Sequence, residues 1–148
     1  MSGTAVGGNP YTLCCGQLKV GNTPARRQPG DTVNEFEELR LLISKFAKER
    51  DWEQFHSPKN LSMALIVEAG ELLEHFQWLK QSESYELGEK KLAEVEAELA
   101  DILVYLVRIA DRLDIDLVGA AKRKIKANEA KYPADRVRGS ARKYTEYM

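Results

Sequence analysis

The sequence contains few cysteines, no long apolar run and almost no net charge. Cys14 and Cys15 are its only cysteines, and because an adjacent pair does not build a disulfide framework, a reducing compartment fits best. The longest purely apolar run, residues 102–107, is too short to cross a bilayer, which excludes a transmembrane helix. A formal net charge of -1 gives no overall attraction to a polyanion. We therefore expect neither a membrane nor a nucleic-acid polymer as a partner.

Glycine and proline are concentrated before residue 31 and are rare after it. Residues 1–30 show no helical or strand period and are predicted to form a disordered tail. Basic residues precede the first acidic residue, Asp31, so targeting to an organelle by this tail stays an alternative to the expected cytosolic location. Residues 31–133 are predicted to form one domain, and residues 134–148 a basic, aromatic tail.

The predicted fold is all-α, because apolar residues after position 31 recur every three or four positions and never alternate as in strands. The pattern indicates an antiparallel bundle of about four helices, the first three near residues 32–50, 58–78 and 89–113. Asp114 or Asp116 can cap the fourth, which Pro133 ends. Thr32 and Glu35 have the spacing of a capping box, and Ser57 precedes Pro58 at the start of the second helix. The aromatic segment DWEQFHS, residues 51–57, connects the first two helices.

The third helix carries an apolar stripe at steps of three and four: Leu92, Val95, Leu99, Ile102, Leu106, Ile109 and Leu113. Its centre, residues 102–107, is apolar all round, so we expect this stretch to be buried on every side. A bundle of this size cannot easily surround it, whereas a second subunit could. The pattern therefore favours an oligomer.

Two pairs of acidic residues lie at the edge of the predicted core. Glu68 and Glu71 project from one side of the second helix, and Glu68 stands where the apolar stripe of residues 61–65 would continue inward. Glu98 and Asp101 have the same spacing beside the stripe of the third helix. If the two helices pack antiparallel, the pairs can meet, although single acidic pairs are also common on solvated faces.

Four carboxylates at close quarters repel one another, so either some of them are protonated or a cation neutralises them. A set of oxygen ligands without cysteine or histidine suits a hard ion, and Mg²⁺ is the usual one. Because bound Mg²⁺ keeps positions open for water and phosphate oxygens, the pattern indicates phosphoryl chemistry.

The sequence resembles the MazG-like all-α nucleotide pyrophosphohydrolases. EAGE at 68–71 and ELAD at 98–101 are similar to the E-x-x-E and E-x-x-D signature of that family. Four further segments resemble the eukaryotic dCTP pyrophosphatase branch: RDWEQFH at 50–56, FQW at 76–78, K-x-x-x-N-x-x-x-Y-P at 124–133 and RGSARKYT at 138–145. The resemblance extends over about residues 32–145.

The resemblance implies a homotetramer, built from helical dimers, that hydrolyses dCTP and modified dCTP to the monophosphate and pyrophosphate with Mg²⁺. It implies that the metal ligands are Glu68, Glu71, Glu98 and Asp101. We expect Glu71 or Glu98 to act as the general base. The implied substrate-binding residues are Trp52, His56, Trp78, Tyr105, Lys124 and Asn128. Indole rings suit this role because they stack on nucleobases.

One position departs from the family. Some members carry a histidine on the first helix that reaches the pyrimidine, and the matching residue here is Ile43, which leaves the base preference open. Arg138 and Lys143 of the basic tail could close over the triphosphate of a neighbouring subunit, or be solvated.

Two other functions would suit parts of the sequence. A di-iron carboxylate bundle requires Glu-x-x-His on two helices, and Glu53 to His56 is the only such spacing here. A non-catalytic helical oligomerisation module would account for the third helix. It would not account for Glu68 in the core stripe.

Overall fold

The computed structural model describes residues 35–141, and the structural statements below refer to that part of the chain. Its regular elements are helices, with no strand among the described residues, which confirms the all-α prediction. The α-helices are α1 (Glu35–Glu49), α2 (Pro58–Glu74), α3 (Glu89–Arg112), α4 (Leu117–Lys131) and α5 (Ala134–Val137). Two short 3-10 helices, Trp52–Gln54 and Glu83–Tyr85, lie in the connections before α2 and α3.

The start of α2 is the predicted one. Ser57 is the N-cap, its hydroxyl accepts a hydrogen bond from the Asn60 backbone N–H at 3.2 Å, and Pro58 occupies the first turn. The end of α2 differs from the prediction, since the helix stops at Glu74 and not near Trp78. The next amide, that of His75, bonds three residues back to Leu72, so the chain tightens there.

The C-terminal elements also differ in detail from the predictions. Asp116, one of the two predicted caps, is the N-cap of α4 and accepts a hydrogen bond from the Gly119 N–H at 2.8 Å. The segment from Ala134, predicted to be a tail, begins with the short helix α5. Thr32 and the tail residue Lys143 lie outside the described residues.

The chain divides within α3 into two compact units, one through Ile109 and one from Ala110. The first unit contains α1, α2 and most of α3. The second contains the end of α3 with α4 and α5, and the side chains of Lys124 and Asn128 are exposed on α4. None of the helices in the described part is long and apolar enough to span a membrane.

In the first unit, α2 and α3 run antiparallel. Leu61 and Ala64 near the start of α2 form a buried cluster with Tyr105, late in α3. One to two turns further along α2, Glu68 meets Glu98, which lies earlier in α3. The contacts thus move backwards along α3 as they move forwards along α2, as predicted.

Only part of the predicted apolar stripe lies on the buried side of α3: Val95 is buried and Ile109 packs against the buried cluster, but the leucines of the stripe are exposed. Leu92, Leu99 and Leu106 are 55%, 52% and 38% exposed, whereas Val95 and Val107 are buried. A single chain therefore does not bury residues 102–107 on every side. Because residues seven apart lie on one side of a helix, the three leucines form an apolar strip, here called the leucine strip.

Candidate metal centre

Glu68 is buried in the wall of the first unit. It lies one turn after Ala64 on the side of α2 that packs on α3, and only 4% of it is exposed. The helical period therefore places a carboxyl group inside the core, as the sequence predicted. A buried carboxylate is unfavourable without a compensating partner. The residues opposite Glu68 on α3 therefore determine whether its carboxyl group is protonated or ionised.

The residues opposite Glu68 are themselves acidic. Glu68, Glu98 and Asp101 each offer a carboxylate oxygen, and these three oxygens lie within 4.8 Å of one another. Glu98 and Asp101 are three residues apart on α3, which places both on the side that faces α2. These three residues are here called the acidic cluster.

Burial and mutual repulsion hold protons on the acidic cluster. Burial, followed by the charges of Asp101, Glu71 and Glu98, raises the pKa of Glu68 to about 7. Burial is also the main cause that raises the pKa of Glu98 and of Asp101. In the metal-free protein at neutral pH the acidic cluster is therefore partly protonated and carries less than its full negative charge.

Glu71, the fourth predicted ligand, is half-buried and is not one of the three residues whose oxygens converge. It is nevertheless close, because its charge raises the pKa of Glu68, Glu98 and Asp101. The structure thus brings together three of the four predicted ligands and places the fourth beside them.

A histidine that sequence reasoning missed borders the cluster. His75 lies one residue past α2, with Nε2 4.0 Å from a carboxylate oxygen of Glu98 and Nδ1 4.0 Å from one of Glu94. Its charge, when protonated, lowers the pKa of Glu98. Spacing could have identified His75, since it follows Glu68 by seven residues and therefore lies on the same side of α2, at its C-terminal end.

The acidic cluster fits a hard divalent cation. Three oxygens within 4.8 Å can share one ion, because ligand distances of about 2.0–2.6 Å allow opposite ligands to stand roughly 4–5 Å apart. The donors are carboxylates, and a cation would remove the repulsion that now keeps them partly protonated. The cluster could therefore hold a metal ion.

The aromatic segment 51–57 lies in the same unit. Asp51, just after α1, adopts a left-handed conformation with φ of 53°, and Gln54 Nε2 donates to its carboxylate at 2.7 Å. The Trp52 ring meets the rings of Phe46 and His56 edge-on, with centroids 5.8 and 6.3 Å away. Trp52 and His56 are thus held as one group.

The remaining predicted substrate-binding residues have different environments. Tyr105 is buried in the cluster with Leu61 and Ala64, whereas Trp78, just past α2, is 86% exposed. Lys124 and Asn128 belong to the second unit, where both are exposed. Sequence reasoning also missed Arg108, a buried arginine of α3 that contacts the aromatic segment.

The fold and the cluster together define a class of protein: helical proteins in which acidic residues of two antiparallel helices form a site suited to a divalent cation. A family model described as the MazG-like family matches residues 63–147, more than half of the chain. The chain belongs to the MazG-like family, and the resemblance stated from the sequence is confirmed.

The relatives that the chain matches include mammalian proteins named dCTP pyrophosphatase 1. The human protein is 47% identical over 112 residues, which cover 74% of this chain and 66% of that protein. The mouse protein is 45% identical over 125 residues, covering 83% and 72%. This chain thus spans about two thirds of the length of the human relative.

A solved structure is also similar. The crystal structure of a pyrophosphatase from Archaeoglobus fulgidus superposes with a TM-score of 0.66 at 39% sequence identity. The match covers 72% of this chain and 99% of the archaeal one.

Proposed function

We propose that this protein is a Mg²⁺-dependent nucleoside triphosphate pyrophosphohydrolase that releases pyrophosphate and the monophosphate. The observation that carries the proposal is the convergence of Glu68, Glu98 and Asp101 between two helices. A purely structural bundle has no reason to bury Glu68, since an apolar residue there would be at least as stable. The relatives named dCTP pyrophosphatase 1 make dCTP the first substrate to test. Modified dCTP, which the sequence resemblance implied, is to be tested beside it.

The residues that would hold Mg²⁺ are Glu68, Glu98 and Asp101, with Glu71 beside them. Bound Mg²⁺ supplies a more acidic water and a counter-charge for the phosphates. Glu71 is our first candidate for the general base, because it is half-buried beside the cluster without belonging to it. Its carboxylate would take the proton of the attacking water, and Glu98 is the alternative.

The aromatic residues would recognise the base. Trp52 and His56 form a fixed pair beside the cluster-bearing helix, and Trp78 is open to a base or to a second chain. Tyr105, Lys124 and Asn128 stay in the proposal as contacts to sugar and phosphates. Ile43, half-buried on α1, replaces a possible histidine contact, so the base preference must be measured.

We also propose that the protein self-associates, as a dimer or tetramer, through apolar surface of α2 and α3. The leucine strip is exposed in the single chain, and on α2 Met63 and Ile66 are 57% and 69% exposed. Contiguous apolar surface of this kind marks interfaces between proteins.

The proposed reaction is tested by incubating the protein and Mg²⁺ with a panel of NTPs, dNTPs and base-modified dCTPs, and identifying the products by mass spectrometry. We expect pyrophosphate and a monophosphate, with a dCTP-type nucleotide ranked first. Orthophosphate and a diphosphate would show that a different bond is cut. A lack of any turnover, together with a lack of specific Mg²⁺ binding, would favour the non-catalytic helical module.

A further inference from the structure

A second buried charge lies on α3, away from the acidic cluster. Arg108 is 2% exposed, and among the described residues it and Glu68 are the charged side chains that the fold buries. Arginine is not deprotonated in proteins, so its charge must be compensated by hydrogen bonds and counter-charge. The proposed chemistry does not use Arg108, and its partners therefore indicate what it does.

The partners of Arg108 come from two earlier parts of the chain. Its Nε donates to His56 Nδ1 at 3.3 Å, and its two terminal nitrogens donate to the Ser44 hydroxyl and to a Glu53 carboxylate oxygen, each at 3.4 Å. Ser44 belongs to α1, whereas His56 and Glu53 belong to the aromatic segment. One planar guanidinium thus ties α3 to α1 and to both ends of the turn that follows Trp52.

The bond to His56 also determines where that imidazole carries its proton. Because Nδ1 accepts from Arg108, the neutral ring is protonated on Nε2. The same ring stands edge-on to Trp52. Arg108 therefore fixes both the tautomer of His56 and its orientation against the indole.

We propose that Arg108 is a positioning residue for nucleotide recognition, which holds Trp52 and His56 in register with the acidic cluster. Arg108 follows Asp101 by seven residues on α3, a rise of about 10.5 Å, and lies on the same side of that helix. One rigid helix thus carries cluster carboxylates and the anchor of the aromatic segment. The substrate class in this inference rests on the proposed function.

The kinetic test compares Arg108→Met and Arg108→Lys with the unchanged protein. We expect both variants to raise KM at least tenfold and to change kcat less than about threefold, because substrate positioning is lost while the cluster remains. Lysine should not rescue, since it cannot donate to three acceptors in one plane. Full rescue by lysine, or a loss confined to kcat, would overturn the proposal. Arg112→Met, an exposed arginine four residues further along α3, is the matched control.

A double variant tests whether Arg108 acts through the histidine. If Arg108 acts through His56, the variant that combines Arg108→Met with His56→Ala should show a smaller rise in KM than the product of the two single rises. We expect the observed rise to fall short of that product by a factor of at least about five. Multiplicative effects would mean that Arg108 acts independently of His56, and would contradict the proposed role.

A third measurement leaves Arg108 unchanged and needs no active enzyme. The sequence has two histidines, His56 and His75, so ¹⁵N NMR of histidine-labelled protein can report both rings, with His75→Gln used for assignment. Without nucleotide, His56 should show a protonated Nε2 and an unprotonated Nδ1. A ring protonated on Nδ1, or a mixture of tautomers, would overturn the inference. Absent nucleotide turnover would refute the proposed function and leave this result standing.

Discussion

Glu68 on α2 and Glu98 on α3 bring carboxylate oxygens to within 4.8 Å of each other, and a hydrogen bond links the two side chains. This bond requires a proton on Glu68, and it lowers the pKa of Glu98 while it raises that of Glu68. With Glu68 protonated, the two acids do not face each other as two negative charges when no cation is present. A proton and a metal ion are alternative ways to neutralise the same cluster, so the stability of the protein should depend on both pH and Mg²⁺.

The metal-free protein should lose stability as the pH rises from about 5 to 8. The pKa of Glu68 is about 7 in the fold against 4.5 for the free side chain, so folding favours its protonated form. Its stabilising contribution is complete below pH 4.5 and is lost as the pH rises through 7, at a cost of about 3 kcal/mol. Urea unfolding in EDTA at a series of pH values measures this change. Glu68→Gln should flatten the profile, and an identical slope in that variant would refute the explanation.

Mg²⁺ should reverse that trend. A cation binds the ionised cluster, so it competes with the protons that the raised pKa values of Glu68, Glu98 and Asp101 retain. We expect the increase in melting temperature on adding Mg²⁺ to be larger at pH 8 than at pH 5.5. Differential scanning fluorimetry with Mg²⁺, and with NaCl at matched ionic strength, measures it. Equal shifts from the two salts would indicate general screening without a metal site.

Replacing Glu98 by glutamine should abolish turnover and preserve the helical fold. Glutamine keeps the size of the side chain but removes the charge that a cation requires, and in the metal-free protein it also removes like-charge repulsion from Asp101. We expect kcat to fall by at least about 10³-fold, with an unchanged circular dichroism spectrum. Glu96→Gln, an exposed residue of the same helix, is the matched control and should be fully active. Activity retained in Glu98→Gln would remove Glu98 from the site.

Sequence reasoning identified the acidic cluster because its signal is local. The stripe of α2 has a fixed period, and Glu68 interrupts it at an inward position, so its burial follows from spacing alone. Spacing identified the buried side of α3 only in part, since apolar residues lie on more than one side of that helix: Val95 of the predicted stripe is buried, whereas Leu99 is exposed. Arg108 was missed for a related reason: a single arginine among apolar residues looks exposed until its partners on distant segments are known.

The two tryptophans should respond differently to truncation. Trp78 is 86% exposed, so Trp78→Ala should leave the free energy of unfolding within about 0.5 kcal/mol of the unchanged protein. If Trp78 stacks on the base, the same variant should raise KM about 5- to 150-fold. Trp52 packs against Phe46 and His56, so Trp52→Ala should destabilise the fold by about 2 kcal/mol and also raise KM. Chemical denaturation and steady-state kinetics separate the two effects. An unchanged KM in Trp78→Ala would exclude it from the site.

A lysine in the leucine strip should dissociate the protein. Leu92 is 55% exposed in the single chain, and we expect a second chain to cover it, so Leu92→Lys would place a charge in an apolar interface. Light scattering coupled to size-exclusion chromatography should then report the mass of one chain in place of a multiple. Glu96→Lys introduces the same residue on the same helix at an exposed acidic position, and it should leave the assembly intact. An unchanged mass for Leu92→Lys would show that another surface joins the subunits. Met63→Lys and Ile66→Lys would then test α2, because these two apolar side chains are 57% and 69% exposed in the single chain.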